Sequence, residues 1–403
     1  MTIAPPKPFP VWLLILVVIL AMGTFLRIHS LEMMKGVGFD ENIYRQYVEQ
    51  IATRGWTHYP EVVDLYIEEQ KLAPIAFLPP TRVTFLLSAT AWHGVTGMSS
   101  VESIRAVSTA ASIILLFGAA IFAWRLGGKR LALVVGTLMA FAPLQLYMAH
   151  RALIDGFFAT ISFFVLWALW ESLQNARSRG WLVAYGVFLA LLVLTKENAA
   201  FVYLAILAIL SANHWLKLGT ITKPLLLTTL LAPGAGAGLL ALAAGGTDPL
   251  FAAYLLNVRM SYNLPYAIAT GDGPWFRYLS DLLLTTPVVL LLAIGGLFRA
   301  RDKAALFFIT FVLTSYLIMG NLRYGMNLRY ALIWDFALCY LAANPLLSVV
   351  KWVATPWRQN AALTLLLTTI VYFQLDNYQT LFIENPIYDP VPKPLMHALQ
   401  MIK

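Results

Sequence analysis

The sequence predicts an all-α polytopic membrane protein, because of its composition, its hydropathy and its apolar runs. Of the 403 residues, 60% are hydrophobic and only 12% are charged, whereas about a quarter of the residues of a soluble domain are charged. The mean hydropathy is +0.72. Apolar runs of about 18 to 20 residues, which are long enough to cross about 30 Å of hydrocarbon, recur along the chain. These properties exclude a soluble enzyme, a fibrous protein and a disordered chain.

The apolar runs predict about eleven transmembrane helices within a membrane domain that covers residues 1–375. The first run follows a proline-rich N-terminal stretch, and no clear A-x-A cleavage site follows it, so it is interpreted as an anchor. Between the fifth and sixth runs only a tight turn fits, near Thr195–Asn198. The predicted spans are 11–28, 104–124, 131–149, 155–172, 181–195, 198–216, 223–246, 281–298, 304–320, 329–350 and 360–375.

The basic residues predict the orientation of these helices. If the N-terminus lies in the cytoplasm, the short inner loops carry many basic residues but only Glu171 and Asp302 as acids, which agrees with the positive-inside rule. The net charge of +8 is then a topology signal, and no nucleic-acid partner is needed to explain it. The inner basic residues are Lys7, Arg125, Lys129, Arg130, Arg177, Arg179, Lys217, Lys223, Arg299, Arg301, Lys303, Lys351 and Arg358.

Three regions are expected on the extracytoplasmic side: the first loop 29–103, a second loop 247–280 and the tail 376–403. Within the first loop, residues Glu41–Arg54 have the pattern of an amphipathic helix that ends at a glycine. Residues 81–97 are apolar, but counting them as a span would reverse every later loop. They are therefore predicted to form an interfacial or re-entrant helix.

Several common kinds of site are excluded by the sequence. The single cysteine, Cys339, rules out disulfides and thiolate clusters, and the six histidines show no zinc-binding spacing. No Walker motif occurs, and no GxGxxG follows a strand. The small-residue run at 234–238 is predicted to allow close packing of helices.

Charged residues from separate segments converge on the outer ends of the predicted spans. Ionisable residues at membrane depth are candidates for function. The outer location argues against a transporter, whose key charges would lie nearer the midplane. The residues are Asp40, Glu41, Arg105, Arg151, Asp155, Lys196, Glu197, Arg323, Arg329 and Tyr330, with Asp335 slightly deeper.

Carboxylates beside basic residues at a membrane surface suit glycosyl transfer from a lipid-linked sugar. A carboxylate accepts the proton of the attacking hydroxyl, and cations stabilise the departing phosphate. The candidate catalytic residues are Asp40, Glu41 and Asp155; the candidate phosphate ligands are Arg105, Arg151, Lys196 and Arg329; Glu197 and Tyr330 are supporting candidates. The three catalytic carboxylates are also suitable oxygen ligands for a divalent metal, so the sequence leaves a metal site open.

Each candidate also has a purely structural interpretation. The same residue types also serve as helix caps, as partners of the helix dipole, as members of local ion pairs and as interfacial anchors. Asp40 could be only a helix N-cap, Glu41 a dipole partner, Arg151–Asp155 an i, i+4 pair, Lys196 and Glu197 headgroup contacts, Arg105 an anchor, and Asp335 a partner of Arg329.

Four local motifs resemble a known superfamily: FDENIY, SVESIRAVST, RALIDGFFA and LTKENAA, with NLRYAL as a weaker fifth. The chain resembles the protein O-mannosyltransferase and lipid A aminoarabinose transferase superfamily of polyprenyl-phosphate-dependent GT-C enzymes, from about residue 11 to 216. The resemblance implies an active site at the outer face, with Asp40 as the base or acceptor-orienting carboxylate and Asp155 in support. Arg105, Arg151 or Lys196 would neutralise the donor phosphate. Asp335 stands where relatives often have proline, so no role is transferred to it.

The sequence therefore predicts transfer of a sugar from a polyprenyl-phosphate donor to a hydroxyl of a lipid, glycan or protein acceptor. The alternatives are a transporter or flippase of a lipid-linked glycan, and a non-catalytic lipid-holding subunit. A polytopic acyltransferase fits less well, because no histidine stands out as a base. No N-x-[ST] sequon occurs, which favours a bacterial or archaeal plasma membrane over the endoplasmic reticulum.

Overall fold

The computed structural model describes residues 11–29, 37–73, 76–261, 271–299, 302–322 and 326–385. Within these ranges the chain is helical and contains no β-strand, which confirms the predicted all-α class. The α-helices are α1 (Val11–Ile28), α2 (Phe39–Arg54), α3 (Tyr59–Leu72), α4 (Val83–Thr96), α5 (Ser100–Ala140), α6 (Pro143–Ala149), α7 (Asp155–Gln174), α8 (Arg179–Thr195), α9 (Ala199–Leu216), α10 (Lys223–Ala243), α11 (Thr247–Ser261), α12 (Arg277–Thr285), α13 (Pro287–Leu297), α14 (Lys303–Met319), α15 (Asp335–Val350) and α16 (Pro356–Tyr378). Short 3-10 helices cover Trp56–His58 and Leu328–Trp334, and a π-helical turn covers Gln379–Glu384.

The described helices include six that are long and apolar enough to cross a membrane. They are α1, α5, α7, α9, α10 and the continuous segment Leu328–Val350, and α8, α13 and α14 are shorter apolar helices. The predicted count of eleven spans is not confirmed. Two predicted spans share α5, which is interrupted at Gly127 and Gly128. Gly128 has a φ of 76°, a conformation that glycine adopts without a steric penalty.

Proline divides two of the predicted spans. The predicted span 131–149 breaks after Ala140, and Pro143 begins the separate helix α6. The predicted span 281–298 likewise breaks at Thr286, and Pro287 begins α13. Proline lacks the backbone N–H that a helix interior uses, but it is well suited to the first turn of a helix. A hydropathy window does not register this interruption, because the residues on both sides are apolar.

An aromatic cluster joins α5, α7 and α15 at the centre of the bundle. The ring of Phe336 stacks on Phe122 with centroids 5.3 Å apart, and it meets Phe163 edge-on at 4.9 Å. All three side chains are buried, and such ring pairs add to the burial of apolar area. This packing fixes α7 and α15 relative to one another. The N-terminal ends of these two helices carry Asp155 and the 3-10 helix Leu328–Trp334.

The first loop contains the predicted amphipathic helix, which starts earlier than expected. Helix α2 begins at Phe39, and its apolar stripe of Ile43, Tyr47, Val48 and Ile51 is buried. Residues 81–97 contain α4, whose 14 residues span only about 21 Å. This length is too short to cross the hydrocarbon. Helix α4 packs against α2, α5 and α8.

Side-chain hydrogen bonds hold the extended segment between α3 and α4. The hydroxyl of Tyr47 donates to the carbonyl of Leu78 at 2.6 Å, and that of Tyr59 donates to Pro80 at 2.7 Å. The amide N–H of Phe77 donates to Oε1 of Gln70 at 2.6 Å. These bonds satisfy backbone groups that would otherwise lack a partner on burial. They also hold in place the segment that leads to Arg82, the residue just before α4.

Basic and aromatic side chains collect at the end of the bundle opposite to α2. Trp12 and Trp124 lie 5.8 Å apart, and the guanidinium of Arg125 lies 5.7 Å from the ring of Trp181. The same end holds Arg299 beside Trp352 and Arg358 beside Trp357. Exposed tryptophan next to arginine is typical of a membrane–water interface.

The small-residue run 234–238 provides one close approach between helices. A Cβ atom added at Gly236 would lie 2.6 Å from the carbonyl oxygen of Ala190 on α8. Gly234 and Gly238 have open space at the same position. Gly236 is therefore the glycine in this run that the packing of α10 on α8 requires.

We expect Gly236→Ala to lower the thermal stability of the protein, because the added methyl group must push α10 away from Ala190. Overpacking of this kind costs about 1 to 3 kcal/mol. Gly238→Ala is the matched control, and it should leave stability unchanged or raise it by the helix preference of alanine, about 0.5 to 1 kcal/mol. Melting temperatures in detergent would measure both variants. Equal effects of the two substitutions would contradict this role of Gly236.

Candidate active site

Four segments bring charged side chains together at the α2 end of the bundle. Asp40 lies in the first turn of α2, Asp155 begins α7, Lys196 follows α8, and Arg329 lies in the 3-10 helix before α15. Nη1 of Arg329 lies 2.8 Å from Oδ2 of Asp40, and its Nε lies 3.4 Å from Oδ2 of Asp155. Asp155 also forms an ion pair with Lys196. One guanidinium thus links two of the carboxylates singled out in the sequence.

Lys196 lies in the tight turn between α8 and α9, and its side chain is buried. Helix α8 ends at Thr195, and Lys196 has an extended backbone with φ −162° and ψ 151°. The hydroxyl oxygens of Thr195 and Thr84 lie 2.9 Å apart, which ties this turn to α4. The side chains of Lys196 and Asp155 are only 2% and 4% exposed. Nζ of Lys196 also lies 4.0 Å from the centre of the Tyr330 ring, a distance that allows a cation–π interaction.

Asp40 is the accessible member of the three candidate catalytic carboxylates. Its side chain is 23% exposed, whereas those of Glu41 and Asp155 are 0% and 4% exposed. Asp40 is not the N-cap, because the helix begins at Phe39 and Gly38 occupies the cap position. It is held by Arg329 and is partly exposed.

Glu41 has a different environment from its neighbour. Its Oε1 accepts hydrogen bonds from Nε of Arg151 at 3.0 Å and from the backbone N–H of Ala152 at 2.7 Å. Its Oε2 accepts from Nη2 of Arg151 at 3.2 Å and from the N–H of Gly38 at 2.6 Å. The carboxylate therefore fastens the residues before Asp40 to the turn between α6 and α7. We call this set the Glu41–Arg151 clamp.

A further ion pair joins the turn after α8 to the start of α4. Nη2 of Arg82 lies 3.3 Å and 3.4 Å from the two carboxylate oxygens of Glu197, and Arg82 also donates to the hydroxyl of Tyr44. Burial by itself would raise the pKa of Glu197, but the charges of Arg82 and Lys196 outweigh it and hold the pKa below its usual value. Sequence reasoning missed Arg82, which belongs to none of the recognised motifs. The apolar segment 81–97, which contains Arg82, is interpreted from the sequence only as an interfacial or re-entrant helix.

Comparison with known proteins identifies the fold. Residues 85–234 match the family model described as dolichyl-phosphate-mannose-protein mannosyltransferase. The structure of ArnT from Cupriavidus metallidurans bound to undecaprenyl phosphate superposes with a TM-score of 0.61 at 15% identity, covering 96% of this chain and 79% of that one. The chain has the GT-C fold. The predicted resemblance is confirmed by the match to this family model over residues 85–234 and by the shared fold. The predicted enzyme class, a polyprenyl-phosphate-dependent GT-C glycosyltransferase, agrees with the description of that family.

A second kind of GT-C structure is also similar. The oligosaccharyltransferase AglB from Archaeoglobus fulgidus, in complex with an inhibitory peptide and a dolichol-phosphate, superposes with a TM-score of 0.58 at 14% identity. The match covers 93% of this chain and 56% of that protein, so this chain spans about half of its length. No curated protein sequence matches this chain.

The charge of Arg105 and the side chain of Asp335 act on groups other than Asp40. The charge of Arg105 acts on Glu102 in its own helix and on His150, beside Arg151. Burial lowers the pKa of the His150 imidazole, and nearby arginine charges lower it further. Asp335 accepts a hydrogen bond from Gln145 at 2.8 Å, whereas its proposed partner Arg329 contacts Asp40 and Asp155. Arg323 lies outside the described residues.

The structural alternatives for two pairs do not match the contacts that the GT-C fold creates. Arg151 and Asp155 are i, i+4 neighbours, yet Arg151 binds Glu41 while Asp155 binds Lys196 and Arg329. Lys196 does not extend to a lipid headgroup, because it is buried against Asp155. These ionic groups serve to join separate segments of the chain, as expected for a built site.

The carboxylates of the site are poorly suited to hold a divalent metal as they stand. Among the described residues, no group of three or more histidine, cysteine, aspartate or glutamate side chains is placed to bind one. Asp40 and Asp155 both face Arg329, and Glu41 is bonded to Arg151 and two backbone N–H groups. A metal ion would have to displace these cations before it could reach the oxygen atoms.

Proposed function

We propose that this protein transfers one sugar from a polyprenyl-phosphate donor to a hydroxyl group of an acceptor, with Asp40 as the general base. The observation that carries the proposal is the contact between the accessible carboxylate of Asp40 and Arg329 at 2.8 Å. A carboxylate that can accept a proton, next to a cation that suits a phosphate, supports this proposal. A general base and an electrostatic stabiliser are the two groups that this reaction needs.

The reaction uses these groups in one displacement at the anomeric carbon. The acceptor oxygen forms a bond to that carbon, and the bond from the carbon to the phosphate oxygen breaks. The electron pair of the broken bond leaves with the oxygen, which becomes part of a polyprenyl phosphate with one additional negative charge. Asp40 takes the proton of the acceptor hydroxyl. Asp155 is too deeply buried for this step, and it orients Lys196 and Arg329 instead.

We assign the donor phosphate to the cations near Asp40. Arg329 is partly exposed there, and Lys196 and Arg82 lie behind it on the turn after α8 and at the start of α4. The ligands of the similar structures, undecaprenyl phosphate in ArnT and a dolichol-phosphate in AglB, support a polyprenyl lipid. Arg151 is assigned to the Glu41–Arg151 clamp. Arg105 is assigned to the surroundings of His150, where burial and the positive charge of Arg105 lower the pKa of the imidazole. Glu197 and Tyr330 support Arg82 and Lys196.

We further propose that these cations neutralise the phosphate without a divalent metal held by the three acidic residues. The expected result is that sugar transfer by the purified protein survives an excess of EDTA. Initial rates measured with EDTA, and again after addition of Mg²⁺ or Mn²⁺, would test this. Loss of transfer in EDTA that is restored by a metal would contradict the proposal.

The basic and aromatic end of the bundle supports an orientation with the site outside. Arginine and tryptophan pairs such as Arg125–Trp181 and Arg358–Trp357 lie at the end opposite to Asp40. Positive residues with interfacial tryptophan favour the cytoplasmic side. We therefore propose an extracytoplasmic active site in a plasma membrane, with the N-terminus in the cytoplasm.

The test of the proposed function is a transfer assay on the purified protein. A panel of polyprenyl-phosphate sugars is offered with and without a crude membrane fraction as acceptor, and released or transferred sugar is quantified. Turnover with one donor identifies both the activity and the sugar. Binding of the lipids without any turnover would overturn the proposal and favour a transporter or a lipid-holding subunit.

A further inference from the structure

The charged residues of the candidate site form ion pairs with one another. Among the described residues, four acidic and four basic side chains pair in this region, and a donor phosphate adds a further negative charge. Because separated charge is costly in a partly desolvated site, a phosphate that binds one of these cations competes with its carboxylate partner. The pairs are Asp40–Arg329, Glu41–Arg151, Asp155–Lys196 and Glu197–Arg82, with Arg329 also near Asp155.

Two of the pairs are unsuited to exchange. Lys196 and Asp155 are nearly inaccessible, so their separation would leave two charges buried without a partner. Glu41 is fully buried and accepts hydrogen bonds from two nitrogen atoms of Arg151. Its further bonds to the backbone of Ala152 and Gly38 would be lost if it moved. These pairs fix the structure around the site.

The pair of Arg329 and Asp40 has the properties that exchange requires. Both side chains are partly exposed, at 16% and 23%, and Nη1 of Arg329 lies 2.8 Å from Oδ2 of Asp40. Nε of Arg329 remains 3.4 Å from Asp155, on the other side of the guanidinium. Arg329 can therefore leave Asp40 while Asp155 still neutralises part of its charge. Guanidinium groups also match the geometry of phosphate oxygens.

We propose that Arg329 binds the donor phosphate by exchanging its partner Asp40 for it. This inference rests on the proposed function and adds an order of events to it. Before the donor binds, Arg329 forms an ion pair with Asp40, the carboxylate that must act as the base. When the phosphate binds, it draws Arg329 away and Asp40 becomes available to the acceptor hydroxyl. The polyprenyl phosphate left after transfer keeps Arg329 until it departs, and the Asp40–Arg329 pair then forms again.

The exchange predicts that Asp40 competes with the lipid phosphate, and a binding experiment without turnover measures this. We expect undecaprenyl phosphate to bind Asp40→Asn about three- to fivefold more tightly than the wild type, the worth of a partly exposed ion pair. The same substitution should have no effect in an Arg329→Gln background. Asp64→Asn removes an equal charge from the exposed face of α3, and it controls for the general attraction of an anion to a more positive protein.

Each outcome of this experiment decides the question. Unchanged or weaker binding by Asp40→Asn would overturn the exchange, as would an equal gain in Asp64→Asn or in the Arg329→Gln background. If Arg329→Gln does not fold, Arg329→Lys replaces it, and a smaller gain from Asp40→Asn is then expected because the ammonium ion pairs less specifically. Failure of the wild type to bind undecaprenyl phosphate would overturn the proposed function as well. Binding and turnover without the gain would overturn only the exchange.

Discussion

Asp40→Asn is expected to reduce sugar transfer by about 10²- to 10⁴-fold, the usual contribution of a positioned general base. The amide has nearly the same shape as the carboxylate, so α2 and the Glu41–Arg151 clamp should persist. It cannot accept the proton of the attacking hydroxyl. Because Glu41 and Asp155 are buried, neither of the other two candidate catalytic carboxylates replaces it easily. Initial rates at saturating donor and acceptor would measure the loss in kcat.

The control for this prediction is the lipid-binding step. The variant should elute and melt like the wild type and should still bind undecaprenyl phosphate, so that the loss is confined to turnover. Asp40→Glu keeps the carboxylate but moves it outward by about one methylene, and it should recover only part of the rate, because general-base catalysis depends on position. Asp40→Asn with full activity would exclude Asp40 as the base. A loss of lipid binding in the same variant would point to a role in holding the donor.

The sequence predicted the ends of the helices that carry the site better than their number. Asp155 begins α7 and Lys196 lies in a tight turn, as predicted, because both positions follow from local rules for charges that flank apolar runs. The number of spans depends on where apolar helices break. The helices break before Pro143 and Pro287, because proline lacks the backbone N–H that a continuous helix would need there. The residues on both sides are apolar, so hydropathy does not reveal these breaks.

The partners of the charged residues could not be predicted from local spacing. Arg151 precedes Asp155 by one helical turn, yet its partner is Glu41, which is 110 residues away. Arg82 and Glu197 are separated by 115 residues, and Arg82 lies in a segment whose apolar character suggested only an interfacial helix. Such pairs depend on how helices from the first loop pack on the bundle. The residue types indicate the chemistry, while the pairing requires the fold.

Glu41→Gln is expected to destabilise the protein and to abolish most of its activity, because it breaks the buried Glu41–Arg151 clamp. The amide oxygen can still accept hydrogen bonds, but the amide nitrogen then faces donors of Arg151 or the backbone. Removing one partner of a buried ion pair costs about 3 to 5 kcal/mol, since the other charge is left without compensation. The N–H groups of Gly38 and Ala152 lose a charged acceptor as well. Asp40, two residues after Gly38, should then lose its fixed position.

A double-mutant cycle separates this positioning role from direct catalysis by Glu41. Arg151→Met removes the stranded guanidinium, so the double variant Glu41→Gln with Arg151→Met should melt at a higher temperature than Glu41→Gln alone. It should nevertheless remain poorly active, because the segment that bears Asp40 is still unfastened. Melting temperatures and kcat for the four proteins of the cycle would provide the measurement. If Glu41→Gln melts like the wild type but lacks turnover, Glu41 acts in the reaction itself; if it keeps both stability and turnover, the clamp is dispensable.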